Sequence, residues 1–167
     1  MSTIAPNIHG SIDLFSYSSR SSTGDIVRIL KKELDRLDVT VTRQHKLEVA
    51  DSVIDTFRTH QRANWDGHGA VSLSQEACTE AIIFLRQLPT AIPRPSVVPN
   101  PDGDISLEWY LGKWQLFVVT FSGKGILFYA GVFGKGAKTH GTEFITDSIP
   151  SSIIENICRV LAYTKTA

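Results

Sequence analysis

The chain has 167 residues, and its 17 lysine and arginine side chains balance 17 aspartates and glutamates, for a formal net charge of zero. A chain of this length suits one domain, which buries about 70% of the surface exposed by the unfolded chain and needs no disulfide to hold its core. Zero net charge removes the simple electrostatic argument for binding a phosphate backbone or an anionic membrane. The composition therefore does not support nucleic-acid binding, although it does not exclude it.

Residues 1–22 predict a flexible, serine-rich arm in front of a single domain that spans residues 23–167. The few apolar residues of this arm have no sustained period. The arm lacks the basic start and apolar run of a signal peptide, and no apolar segment reaches the ~20 residues needed to cross a bilayer. We therefore expect a cytoplasmic protein without membrane contact.

Residues 23–88 predict a helical half. Apolar residues recur at helical spacing over residues 25–37 and again over 44–62. The short β-branched link Val39–Thr42 predicts that these two helices pack as an antiparallel hairpin.

A third helix is predicted to begin at a capping box formed by Ser72 and Gln75 and to stop at Pro89. Small residues on one stripe allow it to lie close to a sheet. Five of the seven prolines fall in residues 89–101, which predicts a stiff, extended crossing that is neither helix interior nor central strand.

Residues 102–146 predict an antiparallel meander. Ile105, Leu107 and Trp109 alternate with more polar residues, which is the period of a strand with one buried face. The predicted strands cover residues 105–110, 114–121, 126–133 and 142–146.

The C-terminal segment, residues 148–164, predicts a last helix. Its expected range is about 150–163, with Ser148 as its N-terminal cap. The residues expected to face inward are Ile153, Ile157, Cys158 and Leu161. Together these elements predict an α+β fold: a meander of four or five strands packed against helices, with the N-terminal helical hairpin alongside.

Asp66 and His68 are the first candidates for chemistry, because a carboxylate beside an imidazole on an exposed turn is a common general acid–base pair. With Glu108 they would form the centre of a small hydrolase or nuclease. The structural alternative is that Asp66 caps the turn while Gly67 and Gly69 adopt positive φ. We favour this alternative.

A metal site is considered because Asp102 and Asp104 could join Asp66 and Glu108 around a divalent cation. No spacing enforces their convergence, and the five histidines show no zinc-binding motif. The cysteines lie on apolar helical stripes, where thiols tend to be inert. We therefore expect no metal, no cofactor and no covalent catalysis.

Lys124, Lys135 and Lys138 are predicted to form a local positive rim at the glycine- and lysine-rich hairpin of residues 131–139. The spacing of a phosphate-binding loop is missing there. The rim is an exposed edge, with binding to an acidic protein or to nucleic acid as functional alternatives.

Aromatic residues of the sheet are the best candidates for recognition, because alternation sends some of them outward and exposed aromatics on a rigid sheet are typical interface anchors. Tyr110 is expected to be exposed, and the whole set is Trp109, Tyr110, Trp114, Phe117, Phe121, Phe128, Tyr129 and Phe133, most of which are expected to fill the core. Trp65, between the helical half and the sheet half, is a second candidate for binding or for filling that junction.

The segment from about residue 62 to 130 resembles a group of uncharacterised small bacterial and phage proteins. The motifs that carry the resemblance are the turn Trp65-Asp-Gly-x-Gly-Ala70, then Pro93-x-Pro95, then the segment Pro101-Asp-Gly-x-Ile-x-Leu-Glu-Trp109. His68 replaces the tyrosine common at that position of the group. The resemblance transfers no catalytic residues, and it implies a role in toxin neutralisation, defence or counter-defence, in a bacterial cell or in the host cytoplasm of a phage.

These observations favour a protein-binding or inhibitory module over an enzyme. Its antitoxin-like form would bind another protein, or itself, through the helical hairpin, the outward aromatics and the lysine hairpin. Substitution of Tyr110 or Lys135 is then expected to weaken association. The alternatives are the hydrolase or nuclease centred on Asp66, and a nucleic-acid binder that loses affinity steeply with salt.

Overall fold

The computed structural model describes Arg28 and residues 41–162 of the chain. Three helices and five strands lie in this part. In chain order they are α1 (Val41–His60), α2 (Gln75–Gln87), β1 (Ser96–Pro99), β2 (Ile105–Gly112), β3 (Gln115–Phe121), β4 (Ile126–Phe133), β5 (Ala137–Phe144) and α3 (Ser151–Ala162). The predicted arm, 1–22, lies outside the described residues, as does the predicted helix 25–37 apart from Arg28.

The five strands form one antiparallel sheet in the order β1-β2-β3-β4-β5, in which each strand pairs with the next along the chain. The α+β fold with an antiparallel meander is therefore confirmed. Because a strand turns successive side chains to opposite faces, the pairing divides the sheet into a helix-covered face of odd-numbered residues and an outer face of even-numbered residues.

The helix-covered face carries the core. Ile105, Leu107, Phe117, Val119 and Phe121 are each fully buried in the cluster that joins the sheet to the helices. The helices α2 and α3 contact the central strands, while α1 packs against α2 and β1. The helices that the structure describes thus lie on one side of the sheet.

The prediction of a capping box at Ser72 is wrong, because the N-cap of α2 is Ser74, whose Oγ accepts a hydrogen bond from the N–H of Ala77 at 3.1 Å. Two long-range bonds keep the preceding residues out of the helix. The N–H of Leu73 donates to the carbonyl of His60, and that of Ser74 to the carbonyl of Gly103. Tertiary contacts therefore delay the helix by two residues.

The crossing predicted over residues 89–101 contains the short strand β1. This strand pairs only with β2, so it lies at an edge of the sheet. An edge tolerates Pro99, which has no N–H to donate. The strand β5 is longer than the predicted 142–146, and α1 begins within the predicted link.

The C-terminal helix corrects two further predictions. Ile153, Ile157 and Val160 form its buried stripe, whereas Cys158 is exposed because it lies about 100° around the helix from Ile157. The first turn donates to the carbonyl of Pro150, so the helix starts there rather than at a Ser148 cap. No helix within the described residues is both long and apolar enough to cross a membrane.

Candidate functional site

The turn from Asn64 to Ala70 is held by its own polar groups. Oδ1 of Asp66 accepts hydrogen bonds from the N–H groups of His68 at 2.8 Å and Ala70 at 3.0 Å. These bonds, that of His68 first, lower the pKa of the Asp66 carboxyl. Oδ1 of Asn64, a residue with a φ of 59°, accepts from the N–H of Gly69 at 2.8 Å. The Asp66 side chain therefore shapes this backbone.

Trp65 fastens the turn to its surroundings. Its half-buried indole donates from Nε1 to the carbonyl of Val71 at 3.0 Å and meets the ring of His60 edge-on, with centroids 4.5 Å apart. The N–H of Val71 in turn donates to the carbonyl of Pro101. The turn thus ties the end of α1 to the loop that leads into β2.

The contacts described for Asp66 and Glu108, two of the hydrolase candidates, lie in different parts of the fold. Glu108 lies on the outer face of β2, where its strand partners are Ser96 and Val118. The hydrogen bonds described for Asp66 are all within its own turn. In residues 41–162 and at Arg28, no three His, Cys, Asp or Glu side chains are grouped so that they could hold a metal ion.

The lysines predicted to form one rim are separated. Lys124 lies in the turn between β3 and β4, and Lys135 in the turn between β4 and β5. Consecutive turns of a meander lie at opposite ends of the strand between them, which spans about 24 Å for an eight-residue strand. Lys138 lies on the outer face of β5, so it is nearer to Lys135 than to Lys124.

Two carboxyl groups near Lys124 have raised pKa values. Burial, and then the charge of Asp102, raise the pKa of Asp104, while the Lys124 cation lowers it. The second carboxyl is Glu80 of α2, a residue absent from the sequence predictions. Its Oε2 and Oε1 accept from the N–H groups of Gly123 at 2.8 Å and Gly125 at 2.6 Å. Glu80 therefore clamps the β3–β4 turn to α2.

The outer face of the sheet carries a band of apolar side chains along β3 and β4. It consists of Leu116, Val118, Ile126, Phe128, Ala130 and Val132. Tyr110 extends the band at one end as the partner of Leu116, and Phe144 at the other as the partner of Ile126. Tyr110, Phe128 and Phe144 are 61%, 46% and 71% exposed. We call these eight residues the apolar band.

Polar groups flank the apolar band on both sides. On the β1–β2 side, the Oγ of Ser106 accepts from Nδ2 of Asn100 at 2.9 Å and lies 2.8 Å from Oγ1 of Thr120, so these groups satisfy one another. Glu108 lies beside them. On the β5 side, Lys138 and His140 are exposed. The face is therefore apolar in the middle and oppositely charged at its flanks.

The sequence predictions did not name Phe144 as an outward residue, although it lies within the predicted last strand, residues 142–146. Its period-two partners within β5, from Lys138 through Thr142, are polar, so the strand has no apolar alternation. The glycine-rich turn at residues 134–136 was the local signal for where β5 begins.

Comparison of the chain with protein families, curated proteins and solved structures found no match.

Proposed function

We propose that this chain is a non-catalytic protein-binding module and that the apolar band is its binding surface. The observation that carries the proposal is the exposure of Tyr110, Phe128 and Phe144 on one face of the sheet. Large side chains in a contiguous exposed patch mark sites of association, whereas single exposed apolar residues need no explanation.

The chemistry of the surface suits a protein partner. Aromatic anchors contribute most of the binding energy of protein interfaces, and a polar rim around an apolar centre is their usual anatomy. The apolar band has such anchors, and Glu108, Lys138 and His140 supply the rim. The turn at Asp66 offers the hydrolase alternative less support, because the Oδ1 of that carboxylate is engaged by backbone N–H groups.

The more specific form of this function follows from the resemblance of residues 62–130 to small bacterial and phage proteins. It is the inhibition of another protein, as an antitoxin or a counter-defence factor does. Lys135 and Lys138 would then add contacts to acidic groups of the target. Trp65 lies in its turn with its indole N–H already bonded, which favours the structural role for this residue.

Replacement of the two exposed phenylalanines of the apolar band tests the proposal. Phe128→Thr and Phe144→Thr remove aromatic area while keeping the β-propensity of the strands. Each is expected to weaken binding of a co-purifying protein by about 2 kcal/mol, or roughly 30-fold in Kd, as is usual for aromatic anchors. Val71→Thr is the matched control, because Val71 is 56% exposed but lies in the loop before α2.

Binding is measured by isothermal titration calorimetry once the co-purifying protein is identified, with circular dichroism to show that every variant is folded. Unchanged affinity for both phenylalanine variants would contradict the proposal. Equal loss in Val71→Thr would show that the effect is not specific to the apolar band.

A further inference from the structure

We infer that the protein bound at the apolar band is a second copy of this chain, packed face to face about a two-fold axis that runs along the strands between β3 and β4. This inference rests on the proposed binding function and names its partner. The order of polar and apolar side chains across the sheet supports this partner.

One row of the outer face contains Glu108, Val118, Ala130 and His140, each paired with the next across β2, β3, β4 and β5. The centre of this row lies between Val118 and Ala130. A two-fold axis through that centre, parallel to the strands, exchanges β2 with β5. It therefore brings Glu108 of each copy opposite His140 of the other.

The neighbouring row obeys the same rule. It contains Tyr110, Leu116, Val132 and Lys138, again paired in order from β2 to β5. The same axis brings Lys138 of one copy over the exposed ring of Tyr110 in the other, which is a cation–π arrangement. Leu116 meets Val132 in the middle of the row. In both rows, a polar or aromatic side chain at one end of the row in one copy therefore faces its complement in the other copy.

These flanking groups cannot satisfy each other within one copy. Three strand-to-strand spacings separate Glu108 from His140, which is about 14 Å. A polar contact between two side chains needs their atoms within about 4 Å. Two sheets that pack face to face with nearly aligned strands lie about 10 Å apart, a distance that opposing side chains fill.

The size of the face sets the expected strength. Four strands with about four outward side chains each present roughly 500 Å², against about 800 Å² per partner in a standard stable interface. We therefore expect a dimer that exchanges with monomer in the micromolar range, so its population depends on protein concentration.

The test is sedimentation velocity of the full chain over a concentration series, with substitutions on the two flanks. Glu108→Lys removes the carboxylate that would face His140, and His140→Glu places two carboxylates opposite each other; each change acts at two symmetric contacts and is expected to raise the dimer Kd about tenfold. The double variant places a lysine opposite a glutamate, and its Kd is expected to return to within about threefold of the wild type. Phe128→Thr is expected to weaken the dimer as well.

Rescue by the double variant is the decisive result, because two substitutions about 14 Å apart in one copy have no local route to correct each other. A dimer Kd that is the same in the wild type and in all four variants would overturn the inference, since the dimer would then use another surface. A wild type that is monomeric throughout while the apolar band binds a different protein would overturn the inference and leave the proposed function standing. A monomer in which substitutions in the band lower stability alone would show that this chain's own residues cover the face, and would overturn both.

Discussion

Glu80 offers the sharpest test of how the described fold is held together. It lies on α2 and is only 9% exposed, and its two carboxylate oxygens accept the N–H groups of Gly123 and Gly125. Hydrogen bonds to a charged group contribute about 1.5 kcal/mol each at the lower end of their range, or about 3 kcal/mol for the pair. Both glycines are half-buried, so in a variant water can hydrogen-bond to their N–H groups and replace part of this free energy.

We therefore expect Glu80→Ala to lower the free energy of unfolding by about 2 kcal/mol. Glu80→Gln keeps the shape and one acceptor oxygen but turns an NH₂ group toward the second glycine N–H, so about half of that loss is expected. Urea unfolding followed by circular dichroism measures both changes. The control is Glu155→Ala, which removes an exposed carboxylate from α3.

The pH dependence gives a second readout with a definite sign. Burial first, and then the charges of Asp104 and Glu76, raise the pKa of Glu80, while the two glycine N–H groups lower it. Because folding raises the pKa of Glu80, the folded protein binds more protons than the unfolded protein at pH values between the ordinary glutamate pKa and the folded pKa of Glu80. Stability contributed by Glu80 is complete below that window and decreases through it. The difference between wild type and Glu80→Ala should therefore shrink as pH rises through the window.

Two results would refute this reasoning. One is a loss in Glu80→Ala within ~0.5 kcal/mol of the Glu155→Ala control, the range expected for surface substitutions. The other is a difference between wild type and Glu80→Ala that grows with pH across the window.

Three further predictions concern the described loops and cysteines. Gly123 has a φ of +77°, and an added Cβ would lie 2.7 Å from a β-carbon in the first turn of α2, whereas Gly125 has a φ of +74° and open space around it. Gly123→Ala should therefore lower the free energy of unfolding by more than the ~1–2 kcal/mol that positive φ alone costs in Gly125→Ala. Equal losses of stability in urea unfolding would show that the close contact is unimportant. Burial raises the pKa of Cys78 to about 12, while Cys158 is exposed, so a thiol reagent at pH 8 should modify Cys158 in the folded protein and Cys78 only after unfolding; fast modification of both would contradict the packing of α2. Backbone hydrogen bonds lower the pKa of Asp66, so wild-type stability from this group should be lost as pH falls through that lowered value, and acid unfolding of Asp66→Ala should lack this component.

Much of the described fold was predictable from the sequence because it depends on local periodicity. The alternation at Ile105, Leu107 and Trp109 predicts the buried face of β2, and all three are buried. Prolines and glycines place the boundaries between strands for the same local reason. Pro89 stops α2 one residue after its C-cap at Leu88.

The features that could not be predicted depend on contacts between distant parts of the chain. Ser74 rather than Ser72 caps α2 because the loops at His60 and Gly103 hold the residues in between. Glu80 occupies the buried side of a helix because two glycines more than forty residues later supply N–H groups. The glutamate's position within an apolar stripe was a local signal, but its partners lie beyond any local pattern.

The candidate surface divides in the same way. Outward aromatics such as Tyr110 and Phe128 follow from strand period, whereas their assembly into one band requires the register of four strands. The separation of Lys124 from Lys135 likewise follows only once the order of the strands is known.

The strand β3 carries the argument for a second layer over the sheet. Phe117 and Val119 face the helices, but Leu116 and Val118 on the opposite face are also apolar. Strands covered on one side normally alternate with polar residues, and strands that are apolar on both faces belong to sheets covered on both sides. In residues 41–162 the helices supply one cover. The composition of β3 therefore calls for a second apolar layer, and the second copy of the sheet that we propose would provide it.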